Sequence, residues 1–130
     1  MRKLIILFAS TAILFASTAM AAQKNLVFSW NQTISTDFAG WKLYRATAPD
    51  VQVNPANLVA TITYDGTVRQ EYQSTQAMTA PDGVETTWYF VLTAFDSSAN
   101  ESAKSNEVSV VIDFGAPAAP FTFKVTVQSN

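Results

Sequence analysis

The stretch TTWYFVLTAFDSSANESAKSNEVSVVI, residues 86–112, contains two runs of alternating side chains separated by turn-forming residues. One face of the first run carries Trp88, Phe90, Leu92 and Ala94. One face of the second carries Val108, Val110 and Ile112. A period of two places alternate side chains on one side of an extended chain, so the stretch predicts two β-strands, 87–96 and 106–112.

The same pattern continues towards the N-terminus. Further strands are predicted at 25–31, 40–46, 57–64 and 69–73, with Pro, Gly, Asn and Asp between them, and no stretch keeps a helical period for three turns. Short strands with regular turn signals are typical of an all-β sandwich or barrel. The predicted core adds Leu26, Phe28, Trp30, Trp41, Leu43, Leu58, Ala60 and Ile62 to the residues above.

Three segments carry a resemblance to a known family: LVFSWNQT (26–33), GWKLYRAT (40–47) and the stretch 86–112. Together they resemble a fibronectin type III domain of the bacterial secreted kind over residues 25–113. The resemblance implies an immunoglobulin-like sandwich of two antiparallel sheets, grouped A-B-E and C′-C-F-G. One departure is Trp88, which stands where the family usually has a corner tyrosine.

The first 21 residues have the form of a secretory signal peptide. Arg2 and Lys3 precede an apolar run over 4–15, and Ala19-Met20-Ala21 supplies a small-residue cleavage pattern. The alternative, a membrane anchor, needs about 20 apolar residues, and this run is shorter. We therefore expect removal of 1–21, a sandwich over 22–113, and a periplasmic or extracellular location, including the cell surface.

Composition narrows the function classes. The chain has 8 basic and 10 acidic residues, so loss of Arg2 and Lys3 leaves 6 against 10, a formal charge of −4. The chain has no cluster of basic residues that would favour nucleic acid as a partner, and no membrane insertion is expected after leader cleavage. His and Cys are both absent, which removes the usual general base and the commonest metal ligands. We expect no enzymatic activity and no cofactor.

The last residues, PAAPFTFKVTVQSN (117–130), raise a separate question. Phe121, Phe123, Val125 and Val127 share one face, as in a half-buried strand. Strand A of the family is absent before Leu26, yet residues 114–130 resemble a linker followed by such a strand. The sequence thus predicts a donor strand at 121–127 and an acceptor edge formed by Leu26, Phe28 and Trp30.

Three outcomes stay open for this C-terminal segment. It can be donated to another molecule, fold back into its own domain, or remain a free tail. Folding back requires the eight steps from Asp113 to Phe121, which reach at most about 28 Å, to span roughly the height of the sandwich. A free tail would expose two phenylalanines to water, which is unfavourable.

Two other groups of residues have alternative interpretations. Tyr44, Tyr89, Val91 and Phe95 are predicted on the outer face of strands C and F. They form either cross-strand pairs or a contact patch for a protein or an extracellular polysaccharide. Asp96, Asn100 and Glu101 favour a capped turn over a weak calcium site, because a dedicated loop needs more ligands.

The sequence thus predicts a non-enzymatic secreted or cell-surface module that binds other proteins or has a structural role, and donation of its C-terminal strand is the outcome that would let it associate with itself head to tail. The alternative is a carbohydrate-adhering accessory domain that uses Tyr44, Tyr89 and Phe95.

Overall fold

The computed structural model describes residues 22–80 and 83–128, so the predicted leader lies outside the described residues. Six strands and one 3₁₀ turn make up the fold. The strands are β1 Ala22–Trp30, β2 Phe38–Ala46, β3 Leu58–Thr63, β4 Tyr72–Ala80, β5 Glu85–Asp96 and β6 Val108–Asp113. The N-cap of the 3₁₀ turn Pro55–Asn57 is Asn54, whose side chain accepts a hydrogen bond from the backbone amide of Asn57.

The strands form two antiparallel sheets, which confirms the all-β prediction and fits a β-sandwich. One sheet has the order β1-β4, and the other has the order β3-β2-β5-β6. The sheets face each other across their apolar side chains, as shown by Phe28 of β1 and Phe90 of β5, whose ring centroids are 4.8 Å apart in an edge-to-face arrangement.

The core lies between the two sheets. Its buried members are Leu43, Met78, Phe90, Ile112 and Phe114. Leu26, Phe28, Val59, Ala60, Trp88, Leu92 and Val110 are partly buried against them. Most of these residues were predicted from alternation, because a period of two places them on the face that meets the opposite sheet.

Two predicted core residues are exposed instead. The β2–β3 register shifts after Leu43, so that Leu58 rather than Val59 lies opposite Tyr44, and Leu58 is 40% exposed. This bulge breaks the alternation that the prediction assumed. Val108 is 48% exposed. It lies on the side of the sandwich between β1 and β6, where no described strand covers it.

The prediction for the fourth strand was wrong in its bounds. It expected 69–73, whereas β4 runs from Tyr72 to Ala80. The inward row of β4 begins with Tyr72 and ends with Met78, and two polar residues, Ser74 and Gln76, lie between them. Gln76 Nε2 donates to Ser74 Oγ at 2.8 Å, so the two polar side chains are hydrogen-bonded to each other. Because two polar side chains lie in the middle of the row, the sequence of β4 does not show the alternation of apolar and polar residues from which strands were predicted.

An aromatic cluster fixes the end of β1 at Trp30. The Trp30 ring is 5.1 Å from Trp41 and 6.4 Å from Tyr72, and Trp41 also contacts Phe38 and Tyr64. The Tyr72 hydroxyl accepts a hydrogen bond from the backbone amide of Arg69 at 3.0 Å. Each aromatic pair of this kind contributes about 0.5–1.5 kcal/mol of stability in addition to the contribution from the apolar area that it buries.

The chain leaves the fold after Phe114. This side chain is 8% exposed, and its backbone exchanges hydrogen bonds with Val84 and Gly83. From Gly115 to Gln128 every residue is exposed and none belongs to a strand. Thr122 has φ of 56°, a left-handed conformation unusual for a β-branched residue, so 121–127 is not a continuous strand in this structure. Within the described residues, no helix has the length and apolar character to cross a bilayer.

Candidate functional site

The outer edge of β1 is open. At the opposite edge of β1, all nine residues of the strand pair with β4, from Ala22 opposite Ala80 to Trp30 opposite Tyr72. No described strand pairs with the outer edge. In an antiparallel ladder alternate residues direct their N–H and C=O groups to opposite edges, so about half of the β1 residues present these groups outward. Such an edge is a template for another strand.

An apolar groove lies beside this edge, between β1 and β6. One cavity of about 110 Å³ is lined by Phe28, Trp30, Leu43, Phe90, Leu92 and Val108, among others. A second cavity of about 190 Å³ is lined by Leu26, Phe28, Phe90, Val108 and Val110, among others. Because three residues line both, the cavities form one groove, which we call the acceptor groove. It contains the predicted acceptor edge, Leu26, Phe28 and Trp30.

Lys24 spans the acceptor groove at the end that lies farthest from Trp30. Its ammonium donates a hydrogen bond to the backbone carbonyl of Asp113, at the end of β6. The same ammonium is 5.5 Å from the centroid of the Phe114 ring. Lys24 belongs to the same inward row of β1 as Leu26 and Phe28. It therefore connects the two sheets at the end opposite to Trp30.

The predicted donor segment, residues 121–127, is almost fully exposed. Its four apolar residues are the most exposed large hydrophobic side chains of the described chain: Phe121 91%, Phe123 94%, Val125 89% and Val127 96%. The structure therefore does not bring the donor segment and the acceptor groove together within one chain.

The predicted contact patch is largely covered. Tyr44 and Val91 are only 4% and 2% exposed, because Val51, which is fully buried, packs over them. Tyr89 packs against the same group and is half-buried, as is Phe95. The expectation of an exposed aromatic face is thus not met at Tyr44 and Val91, since a loop covers the outer surface of the sheet.

Charged side chains hold that loop in place. The Glu107 carboxylate accepts hydrogen bonds from the backbone amides of Asp50 and Val51, at 3.2 and 2.8 Å. Lys104 Nζ donates to Asp50 Oδ1 at 2.6 Å and to the Val51 carbonyl at 3.1 Å. The Lys104 ammonium also lowers the pKa of Asp50 through this hydrogen bond. The cover over the sheet is therefore a fixed part of the fold.

Glu101 anchors the neighbouring part of the same surface. Its carboxylate accepts hydrogen bonds from Tyr44 Oη, from Thr93 Oγ1 at 2.6 Å and from Lys42 Nζ at 3.1 Å. Burial raises the pKa of Tyr44 to about 12, and the Glu101 hydrogen bond contributes to this rise. Burial would raise the pKa of Glu101 as well, but the three hydrogen bonds outweigh it and hold that pKa below its ordinary value.

We expect Glu101→Gln to destabilise the fold in a pH-dependent way. A carboxylate whose pKa is lowered on folding contributes stability that is present above its unfolded pKa, near 4.5, and lost as the pH falls through the folded value. At pH 7 the substitution should cost about 1.5–3 kcal/mol of unfolding free energy. Urea unfolding at pH 7 and at about pH 3 measures this difference. A cost that does not shrink in acid would contradict the assigned role.

The turn after β5 satisfies its own polar groups. Asp96 Oδ1 accepts the amides of Ser98 and Asn100 at 2.9 and 2.8 Å, and Asp96 Oδ2 accepts Asn100 Nδ2 at 2.8 Å. These bonds have the geometry of the predicted capped turn. Among the described residues, no group of three or more acidic side chains is placed to hold a metal ion.

Several residues of the site were not assigned to it from the sequence. Phe90 and Val110 form the far wall of the acceptor groove, although alternation identified them only as core. Lys24 was treated as a residue preceding the first strand. Its position two residues before Leu26 was the available signal, because period two places it on the same face.

No family model, curated protein or solved structure matches the chain. The site is described by its own residues: the open edge of β1, the acceptor groove beside it, and the exposed donor segment.

Proposed function

We propose that this chain is a secreted, non-enzymatic module that assembles by donating its C-terminal strand to a second copy. In this proposal the fold is a fibronectin type III-like sandwich whose strand A comes from a neighbour. Residues 1–21 are removed on secretion. The donor segment of one molecule occupies the acceptor groove of the next, so the function is to form chains of identical modules.

The observation that carries the proposal is the complementarity of two exposed features in the same chain. The open edge of β1 has an inward row of Leu26, Phe28 and Trp30 beside an apolar groove. The donor segment has four apolar side chains on one face, each at least 89% exposed. Burying such a side chain contributes about 1.5–3 kcal/mol before the costs of association. The donor segment would provide a strand for the open edge of β1, and the acceptor groove would bury the exposed apolar side chains of the donor segment.

The position of the chain exit favours a neighbour over the same molecule. Phe114 is anchored beside Lys24, at the far end of β1 from Trp30. To lie antiparallel to β1, the donor segment must start at the Trp30 end, about 20 Å away for six residues of strand. The seven steps from Phe114 to Phe121 reach at most about 25 Å, and Pro117 and Pro120 oppose a tight reversal. Folding back therefore requires a nearly fully extended linker, whereas a neighbouring molecule placed beyond the exit is reached directly.

The alternative function, adhesion to polysaccharide through the outer aromatics, receives less support. Tyr44 is 4% exposed and its hydroxyl is bonded to Glu101. A sugar ring stacks on an exposed aromatic face, and this face is covered by the loop around Val51.

A synthetic peptide with the sequence of residues 117–130 tests the proposal. Added in excess to the secreted chain, it should occupy free acceptor grooves, shorten the assemblies and bind with one peptide per assembly, at the end that has the free groove. The same peptide with Phe123→Asp should have little effect, because the charge cannot enter the apolar groove. Light scattering measures assembly length, and fluorescence anisotropy measures binding. A peptide that neither binds nor shortens the assemblies would contradict the proposal.

A further inference from the structure

Another cavity lies on the side of the sandwich away from the acceptor groove. The groove runs between β1 and β6, whereas this cavity, of about 580 Å³, is lined by residues of β2, β3, β4 and β5. Its volume is within the range of about 300–1,000 Å³ that is usual for small-molecule sites. We propose that the cavity binds a small carboxylic acid and that Arg45 recognises the carboxylate.

Arg45 is the charged residue of the cavity. It belongs to the inward row of β2, two residues after the buried Leu43. Among the described residues that line the cavity none is acidic, and no described carboxylate forms an ion pair with Arg45. Within the described part of the chain, its side chain donates only from Nη1 to Met78 Sδ, at 3.1 Å. A thioether is a weak acceptor, so the other N–H groups are left for a ligand.

Trp88 holds the guanidinium in position. Arg45 Cζ is 4.2 Å from the centroid of the Trp88 ring, which is a favourable cation–π distance. The indole nitrogen of Trp88 is buried and has no hydrogen-bond acceptor among the described residues, so the contribution of this side chain comes from its ring. Because the ring lies against one face of the guanidinium, the N–H groups at the edge of the guanidinium remain available to a planar acceptor.

Arg69 shows how another arginine of this chain is neutralised. Its guanidinium also lies over an aromatic ring, at 6.0 Å from the centroid of Tyr72, but its Nη2 is 2.6 Å from the Asp65 carboxylate. Arg45 has the aromatic partner without a described carboxylate. A partly buried cation without a counter-ion is unfavourable, and a carboxylate that accepts two parallel N–H···O bonds would remove this cost.

The other lining residues select the class of carboxylate. Leu58, which the β2–β3 bulge leaves 40% exposed, lines the cavity together with Val59 and Trp88. One positive charge beside an apolar surface matches a ligand with one negative charge on an apolar body. Phosphate has more charge and no apolar part, so it would leave the apolar lining in contact with water. The ligand is therefore a small aliphatic or aromatic monocarboxylate.

Ligand-observed fluorine NMR tests the site with 4-fluorophenylacetate as the probe, because the method works for a monomer and for an assembly. The secreted chain should bind the probe with a Kd of about 1–10 mM, as expected for a ligand of this size. The amide 4-fluorophenylacetamide has a similar shape without the charge and should bind at least tenfold more weakly. Inorganic phosphate should not displace the probe.

Three results with the unaltered chain would overturn the proposal. Equal binding of the acid and the amide would show that the carboxylate is not recognised. Displacement of the probe by inorganic phosphate would contradict the ligand class. No binding of the acid up to about 20 mM would show that the cavity is not a site for it.

Substitutions of Arg45 test its role. Arg45→Met keeps an unbranched side chain and removes the guanidinium, so the acid should bind at least tenfold more weakly. Arg45→Lys keeps the charge but loses the planar fork, and it replaces Arg45→Met if circular dichroism shows that variant to be unfolded. Arg69→Met is the matched control and should bind as the unaltered chain does, because Arg69 is already paired with Asp65.

Unchanged binding by the folded Arg45 variant, or an equal loss in Arg69→Met, would contradict the assignment to Arg45. The result is independent of strand donation, because the residues that line this cavity do not line the acceptor groove.

Discussion

Phe123→Asp should abolish assembly and leave a monomer. Phe123 is 94% exposed in the single chain, and donation would bury it in the acceptor groove. The substitution removes about 1.5–3 kcal/mol of apolar burial and adds the cost of placing a carboxylate in an apolar groove. We expect association to weaken by at least about 100-fold, which corresponds to roughly 3 kcal/mol. Size-exclusion chromatography with light scattering measures the change.

Thr126→Asp is the matched control. It adds the same charge to the same segment, but alternation places residue 126 on the outward face of the donated strand. Assembly should therefore persist within a few-fold. If both variants assemble normally, the apolar face of the segment is not the binding surface. If both fail equally, charge rather than burial governs association.

Moving the donor segment to the other end of the chain should convert the assembly into a stable monomer. In this variant, residues 117–130 are removed from the C-terminus and joined by a short linker in front of Gln23. An antiparallel strand at the open edge ends beside Lys24, so a tight connection to the start of β1 completes the sheet within one molecule. Relative to simple deletion of 117–130, the unfolding free energy should rise by at least about 3 kcal/mol.

Simple deletion of 117–130 is the reference for this comparison. It should also stop assembly, but it leaves the β1 edge open and therefore prone to aggregation. Urea unfolding and solution mass of the two variants measure the difference. A rearranged chain that still associates, or that is no more stable than the deletion variant, would contradict the assignment of the open edge as the position of the strand.

The strand framework could be predicted because most strands bury one face. Phe90, Leu43 and Ile112 were placed in the core from period-two alternation alone, and they are buried. Alternation failed where the backbone or the composition departs from that period. Leu58 lies beside a bulge, and the polar pair Ser74 and Gln76 interrupts the inward row of β4.

The proposed acceptor edge and donor segment were both predicted from the sequence, because each has an unusually regular apolar face. The shape of the groove could not be predicted, since it depends on the distance between β1 and β6 and on the Lys24 bridge. The cover over Tyr44 was also missed. It depends on contacts of Glu107 and Lys104 with a loop more than 50 residues earlier in the chain, and no local pattern signals such contacts.

The most direct test of self-assembly by strand donation is the solution mass of the intact secreted chain as a function of concentration. Sedimentation equilibrium from micromolar concentrations to about 1 mM covers the range in which such contacts form. Donation predicts a series of integer multiples of the monomer mass whose average length grows with concentration. A strict monomer up to about 1 mM would contradict it.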